Sequence, residues 1–462
     1  MMNFACQHGP VVEPLMDTVS RWVAATTHHD LPVEVRAKAA QGVLDGLGVA
    51  LAGSRHPASR PVTRLVTDLG GRPEASVLGS GLRTSSVDAA LANAYYAHVL
   101  DFDDTHVDAI VHVNAPVLAA ALATAEATGA AGAALLAAQA VGMEVTSRMA
   151  VAMEQHHDHG WHLTGVAGAF GAAAAAASVL RLDPERTAHA LGAASTLASG
   201  LRIHRGTGTK SLNPANAAAN GVLAALAARA GMTSNPAVLD DTRRGVLVSH
   251  GVSTDPATLA AGLGESYRML GVEPKPYPCG VVVHAPVDAA LDLLAEHRDR
   301  LAADPVESVA LTVHPLVLEL TGNPRPRTGL ETKFSVQHAV AVALLEGRLL
   351  PEHFGEDWAE RADVMRLRDR VTARVDPESS RHEATIRVHT RSGHELTSTS
   401  AARGTPSRPM TAEDVEAKFR HLATPVLGDL RAGQVVERVR RLADAGPVDD
   451  LTALLRPYPP GE

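Results

Sequence analysis

The sequence predicts a mainly α-helical protein with one large all-helical domain and a smaller α+β domain. The chain has 462 residues, more than one hydrophobic core usually organises, so two domains are expected. Its residues are 45% hydrophobic but only 3% aromatic, and alanine is abundant, which favours closely packed helices over a β-sandwich. Helical patterns fill the first 270 residues, and strand-like alternation of apolar and polar residues appears only after them.

The all-helical domain is predicted from a series of alanine-rich helices and from a helical tail. Asp183 is a typical N-cap, and Pro184 follows at the first helical position, where its missing N–H breaks no hydrogen bond. We expect the tail to pack back on the helical part and assign residues 1–271 and 406–462 to this domain. The predicted helices span residues 31–51, 85–99, 115–128, 134–153, 165–182, 184–198 and 213–230, with more helix in the tail at 411–455.

The α+β domain is predicted for residues 272–405. Pro274, Pro276 and Pro278 interrupt helix formation at its start, because each lacks an amide donor and restricts the residue before it. A glycine-containing loop at 391–394 is typical of a β-hairpin. The predicted elements are helices at 284–297 and 333–345 and strands at 307–314, 384–390 and 395–400.

Composition also limits the partners of the protein. The net charge is −9 and the isoelectric point is near 6.2, and no basic stripe typical of nucleic-acid binders is visible. Local basic groups at Arg202, His204, Arg205 and Lys210 fit a pocket for a small anion. No signal-peptide pattern is seen, and the longest apolar stretch, 166–182, is too rich in alanine and glycine for a membrane span. We therefore expect a cytoplasmic protein that binds neither nucleic acid nor membranes.

An acidic cluster at the end of a predicted helix is the first segment that could carry chemistry. Asp101, Asp103 and Asp104 lie within four residues, with Thr105 and His112 close behind. Such carboxylates are unfavourable unless they bind a cation, pair with bases or stay solvated. A solvated loop is the plain interpretation. A magnesium site is the alternative, since hard cations prefer oxygen ligands, but no phosphate-cradling glycine loop accompanies the cluster.

Four histidines lie close together at His156, His157, His159 and His162. Such a cluster suggests zinc, but neither a neighbouring cysteine nor an HExxH pattern supports a closed site. Surface histidines are the plainer interpretation of the first three. His162 differs because it precedes a glycine-rich helix start, where a side chain can face a pocket and backbone amides can face an anion.

Three further segments place a lysine or histidine at a helix start or in a rigid turn. Lys210 precedes a predicted helix, but the spacing GxxxxGK[ST] of a phosphate-binding loop is absent. Lys275 lies in the proline-bracketed turn ahead of His284, and His338 follows Lys333 at a helix start. Each alone is more often a surface or core group than a catalytic one.

Together, the side chains of these segments nevertheless fit one kind of chemistry. Histidine and aspartate can move a proton near neutral pH, and lysines can hold carboxylates and stabilise enolate-like charge. Two cysteines, Cys6 and Cys279, cannot hold a cysteine-ligated iron–sulfur cluster. No segment indicates a nucleotide, flavin or pyridoxal cofactor, so we predict neither a cofactor nor a metal.

Taken in order, these segments resemble the MmgE/PrpD family, which includes 2-methylcitrate dehydratase, cis-aconitate decarboxylase and iminodisuccinate epimerase. The resemblance extends over about residues 15–455. It implies a large all-helical domain and a smaller α+β domain with the active site in the cleft between them, usually in a homodimer. The matching pieces are 44–53, 100–106 with 112, 160–162 with 165–182, 209–210 with 217–221, 275–279 with 284, and 323–340.

The resemblance also implies roles for individual residues. His112 and His162 would be the leading acid/base candidates, and Asp101 would lie at the substrate with them. His338 occupies a position where the decarboxylases have tyrosine. The implied catalytic residues are Asp101, His112 and His162, and the implied substrate-binding residues are Thr105, Lys210, Lys275 and His338.

Some residues depart from the family pattern. Asn213 and Asn216 stand where the family often has histidine and arginine, and Val113-Asn114 replaces the usual proline-serine or proline-glycine. Gly280 stands in place of a histidine expected in cis-aconitate decarboxylases. Losing these cationic or hydrogen-bonding groups argues against a tricarboxylate that needs every contact, and leaves open a smaller, less charged or unusual substrate.

The sequence therefore predicts a cofactor-independent lyase, a dehydratase or decarboxylase, that acts on a small polycarboxylate by proton transfer alpha to a carboxylate. An epimerase or isomerase of a substituted dicarboxylate would use the same site, with His112 and His162 as bases on opposite faces. A non-catalytic member of the family and a zinc enzyme built on residues 156–162 are the remaining alternatives.

Overall fold

The computed structural model describes residues 14–153 and 160–457 and confirms the predicted mainly α architecture. Helices form the first part of the chain and its tail, and a small mixed sheet lies between them in sequence. Within these described ranges, no helix is both long and apolar enough to cross a lipid bilayer.

The helices of the first part lie where alanine-rich patterns predict them, within a few residues at most ends. Helices at 15–25 and 60–69 were not predicted. The helices are α1 (Leu15–Ala25), α2 (Val33–Ser54), α3 (Arg60–Leu69), α4 (Ser86–Val99), α5 (Asn114–Thr128), α6 (Gly132–Ala152), α7 (Leu163–Val179), α8 (Pro184–Leu197), α9 (Gly208–Arg229) and α10 (Val246–Ser249).

The start of α9 differs from its prediction in a way that matters for the site. The helix begins at Gly208 rather than Asn213 and runs through Pro214. Lys210 therefore lies in the first helical turn, not before the helix as predicted. Pro214 thus lies inside the helix rather than next to its start.

Small side chains let the helices of this part approach closely. A methyl group added at Gly171 of α7 would collide with Thr146 of α6, and one added at Gly221 of α9 would collide with Ala172 of α7. The alanine-rich composition is thus a packing requirement, since larger side chains would force the helices apart.

The α+β part contains the main sheet and the helices that cover it. In the helical part, β1 (Ala75–Ser76) pairs with β2 (Arg83–Thr84). A second short pair joins the two parts, between β3 (Thr105–His106) of the helical part and β4 (Val272–Glu273). The main sheet has β5 (Val306–Val313), β6 (Val371–Val375), β7 (Glu383–Thr390) and β8 (Glu395–Ala401), in the order β6-β5-β7-β8. Its helices are α11 (His284–Ala303), α12 (Pro315–Thr321), α13 (Gly329–Thr332), α14 (Val336–Glu346), α15 (Glu356–Ala359) and α16 (Ala362–Arg368).

The three predicted strands are β5, β7 and β8, whose apolar residues face one side of the sheet. Val309, Leu311 and Val313 of β5 are buried together with residues of α11 and α14. The edge strand β6 was not predicted, although its five residues, VTARV, alternate between apolar and polar; it is short, and Val371 is its one buried residue. It pairs in parallel with β5, whereas the other pairings are antiparallel.

The tail forms α17 (Ala412–Leu427), α18 (Asp429–Arg440) and α19 (Asp449–Leu454) and packs on the helical part as expected. Phe419 of α17 lies against Gly48 of α2, and it shares one hydrophobic cluster with residues of α4 and α5. A separate cluster contains buried residues between 277 and 402. The boundaries at 271/272 and 405/406 remain a prediction.

Candidate active site

A cavity of about 650 Å³, including its open mouth, lies between the helical part and the α+β part. Five of the seven predicted site residues line it. Thr105 and His338 do not. The lining residues are Asp101, Ile110, His112, Trp161, His162, Leu163, Arg202, Arg205 and Lys210 from the helical part, and Lys275, Gly280, Val281, Val282, Leu320, Thr321 and Phe334 from the α+β part.

Asp101 lies between two lysines that come from different parts of the chain. Its carboxylate oxygens are 3.0 Å from Lys210 Nζ and 2.5 Å from Lys275 Nζ. Lys275 Nζ also donates to the backbone carbonyls of Asp101 and Cys279. Asp101 has a positive φ of 52°, an uncommon conformation for a residue other than glycine. The lysine contacts on both its side chain and its backbone hold it there.

The cavity wall carries more positive than negative charge. Arg202, Arg205, Lys210 and Lys275 line it, and Asp101 supplies the one carboxylate among the lining residues. Burial opposes ionisation of Asp101, but the two lysine ammonium groups outweigh it and hold the pKa of this carboxyl well below its ordinary value. An anion entering the cavity therefore meets a positive field in a partly desolvated site, where charge interactions are strong.

His112 and His162 are the two imidazoles of the cavity wall. His112 Nδ1 lies 3.1 Å from Asp103 Oδ1, and its Nε2 lies 3.6 Å from Asp101 Oδ1. Burial lowers the pKa of His112 below its ordinary value, although Asp103 opposes this. Burial and then Lys210 lower the pKa of His162 further. Both rings are therefore neutral near pH 7 and can serve as a proton acceptor or donor.

The acidic cluster is not the solvated loop of the plain interpretation. Asp101, Asp103 and Asp104 are all buried, at 3%, 1% and 2% exposure. Asp103 accepts from His98 Nδ1 at 2.8 Å, and Asp104 accepts from the backbone N–H of Asn114 at 2.9 Å. Burial raises the pKa of Asp104 to about 8, so this carboxyl is largely protonated at neutral pH.

His98 is a neighbour of the site that sequence reasoning missed. Its ring lies 4.5 Å from that of His112 and 5.7 Å from that of His162, between centroids. Burial lowers its pKa to about 4. The sequence gives no sign that His98 differs from other residues of α4. Its contact with Asp103 forms only because the chain turns after α4 and brings Asp103 back against the helix.

His98, Asp103 and His112 could also offer three ligand atoms to a metal ion, all within 4.8 Å of one another. Two imidazoles and a carboxylate would suit a first-row transition metal. The prediction that no metal takes part stays a prediction. His156, His157 and His159, on which the zinc hypothesis depends, lie outside the described residues, as does Cys6.

Thr105 and His338 are placed away from the cavity wall. Thr105 is buried in β3, where it pairs with Glu273 of β4. His338 is buried in the first turn of α14, and its Nε2 lies 3.0 Å from the carbonyl oxygen of His353. Burial lowers the pKa of His338 to about 4.

Two buried lysines hold the backbone on either side of Asp101. Lys333 Nζ donates to the carbonyls of Leu100 and Pro278, at 2.8 and 3.0 Å. Lys418 Nζ, from the tail, donates to the carbonyl of Phe102 at 2.8 Å. Both were missed as functional positions. Lys333 was visible only as part of a helix-start motif, and Lys418 carried no signal at all.

Arg205 and Asn213 complete the surroundings of the site. Arg205 was noted only as a local basic group; its guanidinium lies 5.7 Å from the centre of the Phe334 ring and donates to the carbonyl of Leu320. Asn213, a departure from the family pattern, has its amide nitrogen 3.0 Å from His162 Nδ1.

The chain is similar to one protein family along most of its length. The MmgE/PrpD N-terminal domain matches residues 17–257, and the MmgE/PrpD C-terminal domain matches residues 277–442. The chain is 27% identical to a cis-aconitate decarboxylase-like protein, oryM, of Aspergillus oryzae, covering 94% of this chain and 95% of that protein. It is 27% identical to the cis-aconitate decarboxylase of Aspergillus terreus and 28% identical to that of Homo sapiens, with 94% of each chain covered in both comparisons.

Proposed function

The chain belongs to the MmgE/PrpD family, and from that membership and the chemistry of the cavity we propose that it is a lyase for a small polycarboxylate. Release of carbon dioxide is the favoured reaction, because the similar proteins named above are cis-aconitate decarboxylases or resemble one. Release of water is the second form of the same proposal. The observation that carries it is the pair of lysines on Asp101 beside two neutral imidazoles.

The cationic side chains would bind the carboxylates of the substrate. Lys210 and Lys275 are already paired with Asp101. Lys275 Nζ has three acceptors, so it would attract a substrate carboxylate through its charge, whereas Lys210 could also donate to it. Arg202 and Arg205 add two further cationic side chains to the cavity wall. Arginine is well suited to this task, since its planar fork can bind a carboxylate through two hydrogen bonds.

In the decarboxylase reaction the bond between the carboxylate carbon and the neighbouring substrate carbon breaks. Carbon dioxide leaves without the electron pair of that bond. The electron pair remains on the substrate and is delocalised toward a neighbouring carboxylate. Positive groups aimed at that carboxylate stabilise the developing charge. A proton from one of the two imidazoles, His112 or His162, then completes the product, and water returns a proton to that ring.

In the dehydratase reaction one imidazole removes the proton alpha to a carboxylate, and another group protonates the departing hydroxyl. His112 and His162 supply this pair, and Asp101 is the third proposed catalytic residue because its carboxylate contacts both lysines at the cavity wall. We leave Thr105 and His338 out of the proposed substrate contacts because neither lines the cavity.

We propose that the reaction needs no bound cofactor, because these side chains supply both charge stabilisation and proton transfer. We also propose a homodimer, on the family resemblance alone. Light scattering of the purified chain tests the second point: a mass near twice 48.2 kDa supports it, and a mass near 48.2 kDa contradicts it.

Gly280 supports a substrate that differs from a simple tricarboxylate. It lines the cavity, and a β-carbon at this position would lie 2.9 Å from Thr321 Cγ2. A larger side chain would therefore need Thr321 to move. The next atoms around this position are the backbone carbonyl oxygen of Lys333 and Phe334 Cδ1, each 3.7 Å from the β-carbon site.

Proton NMR of the purified enzyme in deuterated water tests the proposal. The panel holds cis-aconitate, citrate, 2-methylcitrate and substituted succinates, with His112→Ala as the control for contaminating activity. Loss of carbon dioxide or water from one acid, absent in the variant, supports the lyase and names its substrate. Deuterium exchange without net loss would favour an epimerase instead. No reaction with any acid of the panel would contradict the proposal for this substrate class.

A further inference from the structure

The two cavity imidazoles have chemically opposite partners at the same ring atom. His112 Nδ1 lies 3.1 Å from a carboxylate oxygen, Asp103 Oδ1. His162 Nδ1 lies 3.0 Å from an amide nitrogen, Asn213 Nδ2. A carboxylate can only accept a hydrogen bond, whereas an amide nitrogen can only donate one.

The partner of His112 requires a hydrogen on Nδ1. Asp103 is ionised, because the two neighbouring histidines outweigh its burial and hold its pKa well below the ordinary value. The contact is not well aligned as a hydrogen bond, and neither of these two atoms has another partner among the described residues. An unprotonated Nδ1 would therefore place two lone pairs 3.1 Å apart in a buried site. Because the neutral ring carries one hydrogen, Nε2 is left unprotonated.

The partner of His162 requires the opposite arrangement. Asn213 Nδ2 also lies 3.2 Å from the carbonyl oxygen of Leu201, which needs a donor. This second contact identifies the atom as the amide nitrogen rather than the amide oxygen. The same nitrogen donates to His162, so Nδ1 of that ring accepts. The single hydrogen of the neutral ring is then on Nε2.

We propose that Asp103 and Asn213 are positioning residues that hold His112 and His162 in opposite tautomers, so that one imidazole offers an unprotonated Nε2 as a base and the other an Nε2–H as an acid. The catalytic meaning of this arrangement rests on the proposed function. The tautomers themselves can be measured without substrate. Asn213 replaces a residue type common in the family, so this acid/base assignment belongs to this chain's own residues.

His98 makes the role of Asp103 specific to a carboxylate. Its Nδ1 lies 2.8 Å from Asp103 Oδ2, while His112 uses Oδ1, so the side chain serves two N–H donors. Asparagine has the same shape but only one acceptor oxygen, and its NH₂ group must face one of the two rings. In Asp103→Asn, therefore, either His98 or His112 must change its tautomer.

Nitrogen NMR of the full chain labelled with ¹⁵N-histidine tests the tautomers directly. The variants His112→Gln and His162→Gln assign the two rings. In the wild type we expect a hydrogen on Nδ1 of His112 and on Nε2 of His162. In Asn213→Asp the new carboxylate would accept, so the His162 hydrogen should move to Nδ1. The same tautomer in both wild-type rings, or an unchanged His162 signal in Asn213→Asp, would overturn the proposal.

Turnover tests the consequence for catalysis. Asp103→Asn should lower kcat about 100-fold with a smaller change in KM, the usual scale for losing a general acid or base. His98→Gln/Asp103→Asn should recover part of this loss, because a glutamine oxygen can accept from the new amide at position 103 and leave the oxygen of that amide for His112. Asp108→Asn, an exposed carboxylate in the same loop, is the matched control. A double variant no better than the single one would contradict the role of Asp103.

The outcomes separate this inference from the proposed function. If His112→Gln keeps full turnover, the proposed function fails whatever the tautomers are. If His112→Gln is inactive but the two rings share one tautomer, only the inference fails. If Asp103→Asn does not fold, the spectra of the wild type and of Asn213→Asp still determine whether His112 and His162 hold opposite tautomers. A stoichiometric metal in the purified wild-type chain that is lost in His98→Gln would also overturn the inference, because a metal would replace the Nδ1 hydrogens.

Discussion

Lys275 Nζ lies 2.5 Å from Asp101 Oδ1, a contact that joins the α+β part of the chain to the end of α4. The two side chains are 2% and 4% exposed, and Lys210 approaches the other oxygen of Asp101 from α9. The pair therefore has two roles. It holds the two parts of the chain together at the cavity, and it keeps positive charge where a substrate carboxylate would bind.

Replacing Asp101 by asparagine should destabilise the protein, because two lysines would keep their charge in a buried site without its carboxylate. Breaking such a pair costs on the order of 3 kcal/mol. Urea unfolding would measure the loss. The double variant Asp101→Asn/Lys275→Met should recover part of it, and equal stability of wild type and Asp101→Asn would refute the idea.

His112→Ala should lower turnover by roughly 10²-fold or more, the scale expected when a general acid or base is removed. Steady-state assays with the substrate found by NMR would measure kcat. His29→Ala is the matched control, because His29 is exposed and far along the chain from the cavity residues. Wild-type turnover in His112→Ala would contradict the assignment of His112 as a catalytic residue.

Arg205→Gln should mainly weaken substrate binding, raising KM about tenfold with a smaller effect on kcat, because a charge-assisted hydrogen bond to a carboxylate would be lost. Its control is Arg229→Gln, which removes an exposed arginine at the end of α9. An unchanged KM in Arg205→Gln would show that this guanidinium does not bind the substrate.

Lys333 should make stability depend on pH. Burial lowers its pKa from 10.5 to about 7 in the folded chain, so the unfolded chain binds more protons between these values. The wild type should therefore gain stability over Lys333→Met as pH rises from about 7 toward 10, by up to about 1.4 kcal/mol per pH unit. Urea midpoints of both proteins at about pH 7, 8 and 9 would reveal it. If the urea midpoints of the two proteins change with pH in parallel, Lys333 keeps its ordinary pKa in the folded chain.

Removal of metal ions should leave turnover unchanged, because lysines and imidazoles supply the proposed chemistry. The test is activity after dialysis against EDTA, together with elemental analysis. Activity that is lost on dialysis and restored by one transition metal would instead point to the group of His98, Asp103 and His112.

Much of the fold follows from local patterns in the sequence. Periodic alanine-rich segments identify α4 to α8, and the Asp183-Pro184 cap places the start of α8 correctly. Alternation identifies β5, β7 and β8, where one face is buried. The edge strand β6 alternates in the same way but over only five residues, one of which is buried, and was not predicted.

The sequence by itself determined the mainly α architecture, the family and the chemical types of the site, because helix periodicity, small-residue packing and ordered motifs are local properties of the chain. Only the tertiary structure decided which groups meet. Lys275 reaches Asp101 across 174 positions, and Asn213 reaches His162 across 51. Lys333 and Lys418 hold backbone carbonyls that no pattern marks. Such contacts depend on how helices pack, and the pKa values they create depend on burial, which no single segment specifies.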